Sequence, residues 1–339
     1  MLKQYDYIPD GLLSCEAEDL HDLLGGPTLI HLDEPRKPAL FVSVLMHGNE
    51  TSGWYAVREL LKTVYQDPTH ARPRSLSLFI ANTLASKHGV RHMPNGPDYN
   101  RVWPGSELEP SAEHELMQHV FNEMRKREVF ASVDIHNNTG LNPHYACVNK
   151  LDAQTLKLAT LFGRTIVYFI RPVGVQSIAM SQLCPAVTLE CGKSEHSYGW
   201  EHALNYLNAC VHLNELSNTP VPPHDIDLFH TTATVKIPQD MSFGYSTPEL
   251  DLDLVSHLEK FNFQELKVGE LFARTRSDAV EVLNVSNEEG EDVFDEYFEL
   301  ASGELRTRKS VMPSMLTKDL DVIRQDCLCY LMERYEYSA

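Results

Sequence analysis

Runs of apolar residues, and the spacing between them, divide the first two thirds of the chain into alternating strands and helices. Residues 39–46 form a continuous run rich in Val, Leu and Phe, the pattern of a buried strand. Over 52–65, Trp54, Val57, Leu60, Leu61 and Val64 then share one face at helical spacing, with Thr51 or Ser52 as the cap. Further strands are expected at 75–81, 131–136, 145–148, 165–170 and 186–190. Further helices are expected from a cap at Ser111 to about residue 128, at 152–162 and at 198–216. Residues 1–37 are mixed and suit one helix and one or two edge strands, with a polar turn at 34–38. Residues 82–110 are rich in Gly and Pro and read as a loop; loops this long in compact domains are more often functional than idle. Strands alternating with helices imply βαβ units. The expected fold class is therefore α/β, with a mixed, mainly parallel sheet flanked by helices.

The pattern changes after residue 217. Ser217-Asn218-Thr219-Pro220-Val221-Pro222-Pro223-His224 reads as a linker. Beyond it the spacing is β-like at 231–237, 279–285 and 291–298. Two domains are expected, an α/β domain over 1–217 and a smaller β-rich C-terminal domain over 225–339, which suits a chain of 339 residues.

Charge narrows the choice of partner. The formal net charge is −19, which disfavours nucleic acid and anionic membrane surfaces. No window approaches the roughly 18 apolar residues that span a bilayer, and the first residues hold no apolar targeting segment. The seven Cys are scattered, without a Cys-x-x-Cys pair, so a thiolate metal site is not expected and the set suits a reducing, cytoplasmic setting.

Three strand ends carry candidate chemistry. His47-Gly48-Asn49-Glu50 follows the run at 39–46, and Gly48 would let the backbone turn back at an unusual φ/ψ. Asp134-Ile135-His136 ends the next central strand, with Asp134 and His136 on the side opposite Val133 and Ile135. Thr188-Leu189-Glu190-Cys191-Gly192 ends another. Ligands of open α/β sheets gather at the carboxyl ends of the strands, so His47, Glu50 and His136 could converge there. Two imidazoles and a carboxylate with an open position suit a catalytic zinc ion, and Asp134 could orient one imidazole. Glu190 would then be the general base. The loop between Arg91 and Arg101 adds Asn100 and two guanidiniums, one to clamp a substrate carboxylate and one to polarise the carbonyl under attack. His88, His92, His144 and His196 are rival ligands, and Glu195 is a rival base. The acidic run at 287–292 reads as a solvated loop.

Together, His47-Gly48-Asn49-Glu50, Asp98-Tyr99-Asn100-Arg101, Asp134-Ile135-His136 and Thr188-Leu189-Glu190-Cys191-Gly192-Lys193 resemble the succinylglutamate desuccinylase/aspartoacylase family, which is similar to the zinc carboxypeptidases. The resemblance implies a hydrolase of the amide bond in a small, anionic N-acyl amino acid, with one zinc ion per chain. His47, Glu50 and His136 match its zinc ligands and Glu190 its catalytic glutamate. Asn100 and Arg101 match the pair that grips the substrate carboxylate. Arg91 lies a little farther upstream than the family's carbonyl-polarising arginine. Members that cleave acidic acyl groups resemble one another in an arginine shortly before the strand of the catalytic glutamate. Residues 175–182 hold no Arg or Lys, and Arg171 is the nearest upstream. The competing readings are a metallocarboxypeptidase acting on short peptides and a non-catalytic binding protein that keeps the fold.

Overall fold

The computed structural model describes residues 1–66, 73–276 and 282–337. The chain divides into two compact units, one built from Met1–Asn137 and His144–Asp227, the other from Asn138–Pro143 and Leu228–Glu336.

The strands of the first unit are β1 (Lys3–Tyr5), β2 (Thr28–Leu32), β3 (Arg36–Val44), β4 (Arg74–Ile80), β5 (Ala131–His136), β6 (Tyr145–Val148), β7 (Thr165–Tyr168) and β8 (Ala186–Glu190). They lie in the order β1-β2-β4-β3-β5-β8-β6-β7. Pairing is parallel except at β2–β4 and β6–β8. The helices are α1 (Leu20–Leu24), α2 (Ser52–Leu60), α3 (Thr83–Lys87), α4 (Ala112–Arg127), α5 (Ala153–Thr160), α6 (Gln176–Met180) and α7 (Ser197–His212). The result is the mixed, mainly parallel sheet with flanking helices expected from the apolar pattern.

Strand parity separates two kinds of face. Gly53 of α2 packs so tightly on Val44 and Ile135 that a Cβ there would lie 3.0 Å from each. On the other face Phe41 and Phe79 pack with Met117, Val120 and Phe121 of α4 and with Met180 of α6. That second face also holds a buried polar row. Ser43, Asp134 and Thr188 stand side by side on β3, β5 and β8, with His136 beside Glu190 one step farther along. Each of these five side chains is buried.

Some local expectations are corrected. The segment 82–110 is not all loop: Asn82 caps the short helix α3 by accepting from Ala85 N at 3.1 Å. Five residues carry too little apolar spacing to announce a helix. Helix α6 falls where only a connection was expected. The polar turn at 34–38 is shorter, because β3 already begins at Arg36.

The second unit contains β9 (Asp227–Lys236), β10 (Phe243–Tyr245), β11 (Leu252–Leu254), β12 (Leu271–Thr275), β13 (Asn284–Asn287), β14 (Phe298–Ala301), β15 (Glu304–Thr307), β16 (Met312–Ser314) and β17 (Cys329–Arg334). One sheet runs β10-β11-β12-β15-β14, and β9 pairs with both β13 and β17. Its core gathers Val235, Leu254, Phe272, Phe298 and Leu331. The strand expected at 291–298 is instead the short helix α8 (Phe294–Tyr297) leading into β14. The strand expected at 279–285 begins at Asn284, and 279–281 lie outside the described residues. The acidic run closes a turn in which Asn287 Oδ1 accepts from the backbone N–H groups of Glu289 and Glu291.

A buried cation helps to hold the first unit together. Arg74 is 1% exposed. It donates to the carbonyls of Pro38, Leu213 and Asn214 at 2.8–2.9 Å, and its guanidinium lies over the Phe130 ring. The positive charge thus sits at the carboxyl end of α7, where the helix dipole favours it. Arg74→Met should strand these carbonyls and lower the unfolding free energy by about 3 kcal/mol, measured by denaturant titration. A change within about 0.5 kcal/mol would show that the carbonyls find other partners.

Candidate metal centre and active site

The chain enters the site through strained backbone. After β3, Leu45 adopts φ 57°, a left-handed conformation that a branched side chain rarely takes. His47, Gly48 and Glu50 follow. Gly48 is required by a close approach rather than by unusual torsions, which corrects the sequence reading. A Cβ on it would lie 2.1 Å from Ala85 C and 2.2 Å from Ser86 N. Its N–H donates to the Arg91 carbonyl at 3.0 Å. The turn is therefore wedged between α3 and the loop that carries Arg91.

His47, Glu50 and His136 come together as buried neighbours whose donor atoms all lie within 4.8 Å of one another. The Glu50 carboxylate stands between the two rings. His47 Nδ1 is 2.8 Å from its Oε1, and His136 Nδ1 is 2.7 Å from its Oε2. The outer ring nitrogens are held too. His47 Nε2 lies 3.0 Å from Asp98 Oδ1, and His136 Nε2 lies 2.7 Å from Asp134 Oδ2. Asp134 Oδ1 in turn accepts from Ser43 Oγ at 2.7 Å. Each imidazole thus turns Nδ1 to the common centre while a carboxylate fixes its far side.

The charges respond to this arrangement. Burial pushes the Glu50 carboxyl up, but the charges of His47 and His136 outweigh it and hold it well below the usual range. Burial likewise opposes ionisation of Asp98, and His47 and Arg91 overcome it. For His47, burial and Arg91 pull the ring down, yet Asp98 and Glu50 leave it above its ordinary value. For His136, burial is outweighed by Asp134 and Glu50, and the ring is raised well above its ordinary value.

The remaining candidates surround this centre. Arg91 donates to Asp98 Oδ2 from Nη2 at 2.9 Å and from Nε at 3.2 Å, while its Nη1 lies 3.9 Å from Glu50 Oε1. Asn100 Oδ1 accepts from Gln176 N at 2.8 Å, and its Nδ2 lies 3.3 Å from His136 Nε2. Arg101 Nη1 donates to the Asn100 carbonyl at 2.9 Å. Glu190 is buried at the end of β8, its Cα paired in parallel register with that of His136. Parallel neighbours in register face the same side of a sheet.

The rivals lie elsewhere. His144 stacks with Phe162, Tyr198 and His202, and His196 stacks on Tyr198. His92 Nδ1 lies 3.0 Å from the Met93 carbonyl, while His88 and Glu195 are exposed. Arg171 forms an exposed ion pair with Glu107. The sequence assigns no role to two residues of the site, Asp98 and Asn137. Asp98 links His47 to Arg91, and the signal was its place two residues before Asn100, whose N–H it accepts at 2.7 Å. Asn137 donates its backbone N–H to Glu50 Oε2 at 3.1 Å. A polar residue directly after a strand-end histidine was its only mark.

The family model of the succinylglutamate desuccinylase/aspartoacylase catalytic domain matches residues 36–213, more than half of the chain. The chain belongs to this family. Among solved structures, it is similar to the succinylglutamate desuccinylase of Chromobacterium violaceum, with a TM-score of 0.60 and 16% identity over 97% of this chain and 98% of that one. The corresponding enzyme of Vibrio parahaemolyticus gives a TM-score of 0.61 and 13% identity over 91% and 86%. Murine aminoacylase 3 gives 0.56 and 16% identity over 88% and 97%. At these identities the structural likeness bears on the fold alone. Comparison with curated protein sequences found no match.

Gly48 offers a direct check on the turn. Gly48→Ala should lower the melting temperature by several degrees, because the contact it creates is with backbone that cannot rotate away. An unchanged melting temperature would mean that α3 shifts freely and does not position the turn.

Proposed function

We propose that the chain is a zinc-dependent hydrolase of the amide bond in a small N-acyl amino acid. The observation that carries this reading is the triangle of His47, Glu50 and His136, with both Nδ1 atoms turned inward and both Nε2 atoms held by carboxylates. That donor set suits zinc, and a carboxylate on the far nitrogen is the usual support of a ligating imidazole. The formal charges agree. With neutral imidazoles, the carboxylates of Glu50, Asp98, Asp134 and Glu190 exceed the guanidiniums of Arg91 and Arg101 by two negative charges, which a divalent cation balances. Zinc bound there would supply a Lewis acid and a water of lowered pKa.

The protein's own groups do the rest. Glu190, beside His136 at the strand end, takes the proton of the attacking water and passes it to the leaving amine. Arg91 directs its guanidinium at the carbonyl oxygen as negative charge develops there. Asp98 keeps Arg91 and His47 in fixed relation. Asn100 and Arg101 hold the substrate carboxylate in a planar fork of donors. Membership of the succinylglutamate desuccinylase/aspartoacylase family supports an N-acyl amino acid as the substrate class.

Glu190→Gln should keep about one zinc per chain and lower kcat by roughly 100- to 10,000-fold on the best substrate in a panel of N-acyl amino acids and short peptides. Normal turnover by that variant removes Glu190 from the role of base. Faster hydrolysis of peptides than of N-acyl amino acids would instead make the chain a carboxypeptidase. Asp98→Ala should weaken zinc binding by about 10- to 100-fold in competition with a chelator. Unchanged affinity would leave Asp98 with Arg91 alone.

A further inference from the structure

Asn137 follows His136 directly, so strand alternation sends its side chain to the opposite face of the sheet, toward the first turn of α2. It is 4% exposed there. Its amide is fully used. Oδ1 accepts from Ser52 N at 3.1 Å, while Nδ2 donates to Ser52 Oγ at 2.9 Å and to the Gly192 carbonyl at 2.7 Å. An amide has two N–H donors and one carbonyl oxygen, so each finds a partner. At the same time its backbone N–H donates to Glu50 Oε2 at 3.1 Å. One residue therefore grips the carboxylate of the metal centre with its main chain and the segment just after Glu190 with its side chain.

That segment is built to be held. Gly192 sits two residues after Glu190 at φ 68°, and a Cβ on it would meet His144 Nε2 at 3.2 Å. Cys191 N donates to the His136 carbonyl at 3.0 Å, and Ser194 Oγ donates to the Asn49 carbonyl at 3.0 Å. The end of β8 is thus fastened to the His136 and Asn49 backbones, and Asn137 adds the side-chain tie that also reaches α2.

We propose that Asn137 is a positioning residue that sets the separation between the Glu50 carboxylate and the Glu190 carboxylate. This rests on the proposed function, in which Glu190 must meet a water placed by the metal centre. A displacement of about 1 Å at such a point can cost on the order of 100-fold in rate. Losing the Nδ2 donor frees the Gly192 carbonyl and lets the end of β8 relax, while His47, Glu50 and His136 remain to bind metal.

The test compares Asn137→Ala and Asn137→Asp with the unsubstituted protein, each also combined with Glu190→Gln. The Asp variant keeps the shape and the acceptor for Ser52 N, but sets an oxygen against the Gly192 carbonyl, so it removes the tie without opening a hole. Both variants should retain one zinc per chain and show faster amide hydrogen exchange over residues 191–196. Their kcat should fall by about 10- to 100-fold with KM within about twofold. Added to Glu190→Gln, they should lower the residual kcat no further, because residues that act as one unit are not additive. Unchanged exchange over 191–196, or losses that multiply in the double variants, would overturn the proposal. Loss of zinc would also overturn it, by placing Asn137 with the metal ligands. The exchange measurement needs no substrate, so failure to hydrolyse any N-acyl amino acid counts against the function and not against the clamp.

Discussion

A single buried carboxylate organises this site. Glu50 places one oxygen against His47 Nδ1 and the other against His136 Nδ1, and it also receives the Asn137 N–H. A buried carboxylate is tolerated only when it is paired and hydrogen-bonded, since its desolvation costs several kcal/mol. Satisfying Glu50 therefore forces the ends of β3 and β5 to a fixed distance. Both imidazoles present Nδ1 to Glu50. The outer carboxylates of Asp98 and Asp134 then follow as a requirement, because each ring needs a partner on its far side.

The sheet makes this economical. Parity puts Asp134 and His136 on one face with Ser43 and Thr188, so the polar groups form one connected buried row. The next residue along, Asn137, faces α2 on the other side. The end of β5 and the residue after it therefore serve both sides of the sheet, His136 meeting Glu50, Asp134 and Asn100, and Asn137 meeting Ser52 of α2. The close approach of Gly53 to Val44 and Ile135 brings α2 near enough for Asn137 to reach Ser52, and Gly48 seats its turn against the backbone of Ala85 and Ser86. The strain at Leu45 marks the point where the strand is turned into the site.

Much of this was legible in the sequence, for reasons that differ by element. Strands β3, β5 and β8 announce themselves because each carries buried apolar positions and has a His or Glu at or just beyond its carboxyl end, where ligands gather in this fold class. That is why His47, His136 and Glu190 could be placed together. The link from Asp98 to His47 was not legible, because it joins a loop to a strand end and no local spacing encodes it. At Gly48 the sequence shows a glycine but not the backbone of Ala85 and Ser86 that needs it. The short helices α3 and α6, and strands such as β10 and β11 with three residues each, fall below the length at which periodicity is informative. The helix Phe294–Tyr297 reads as a strand because its two aromatic ends mimic one.

On the proposed function, one metal ion at His47, Glu50 and His136 makes this fold an amide hydrolase. The most direct test is to strip the protein of metal and titrate zinc back while following hydrolysis of N-acyl amino acids. Activity should be absent at the start, rise in proportion to added zinc and break at one equivalent per chain. Hydrolysis that persists in the presence of a strong chelator, or a protein that binds zinc at this ratio yet hydrolyses none of these amides, would contradict the account.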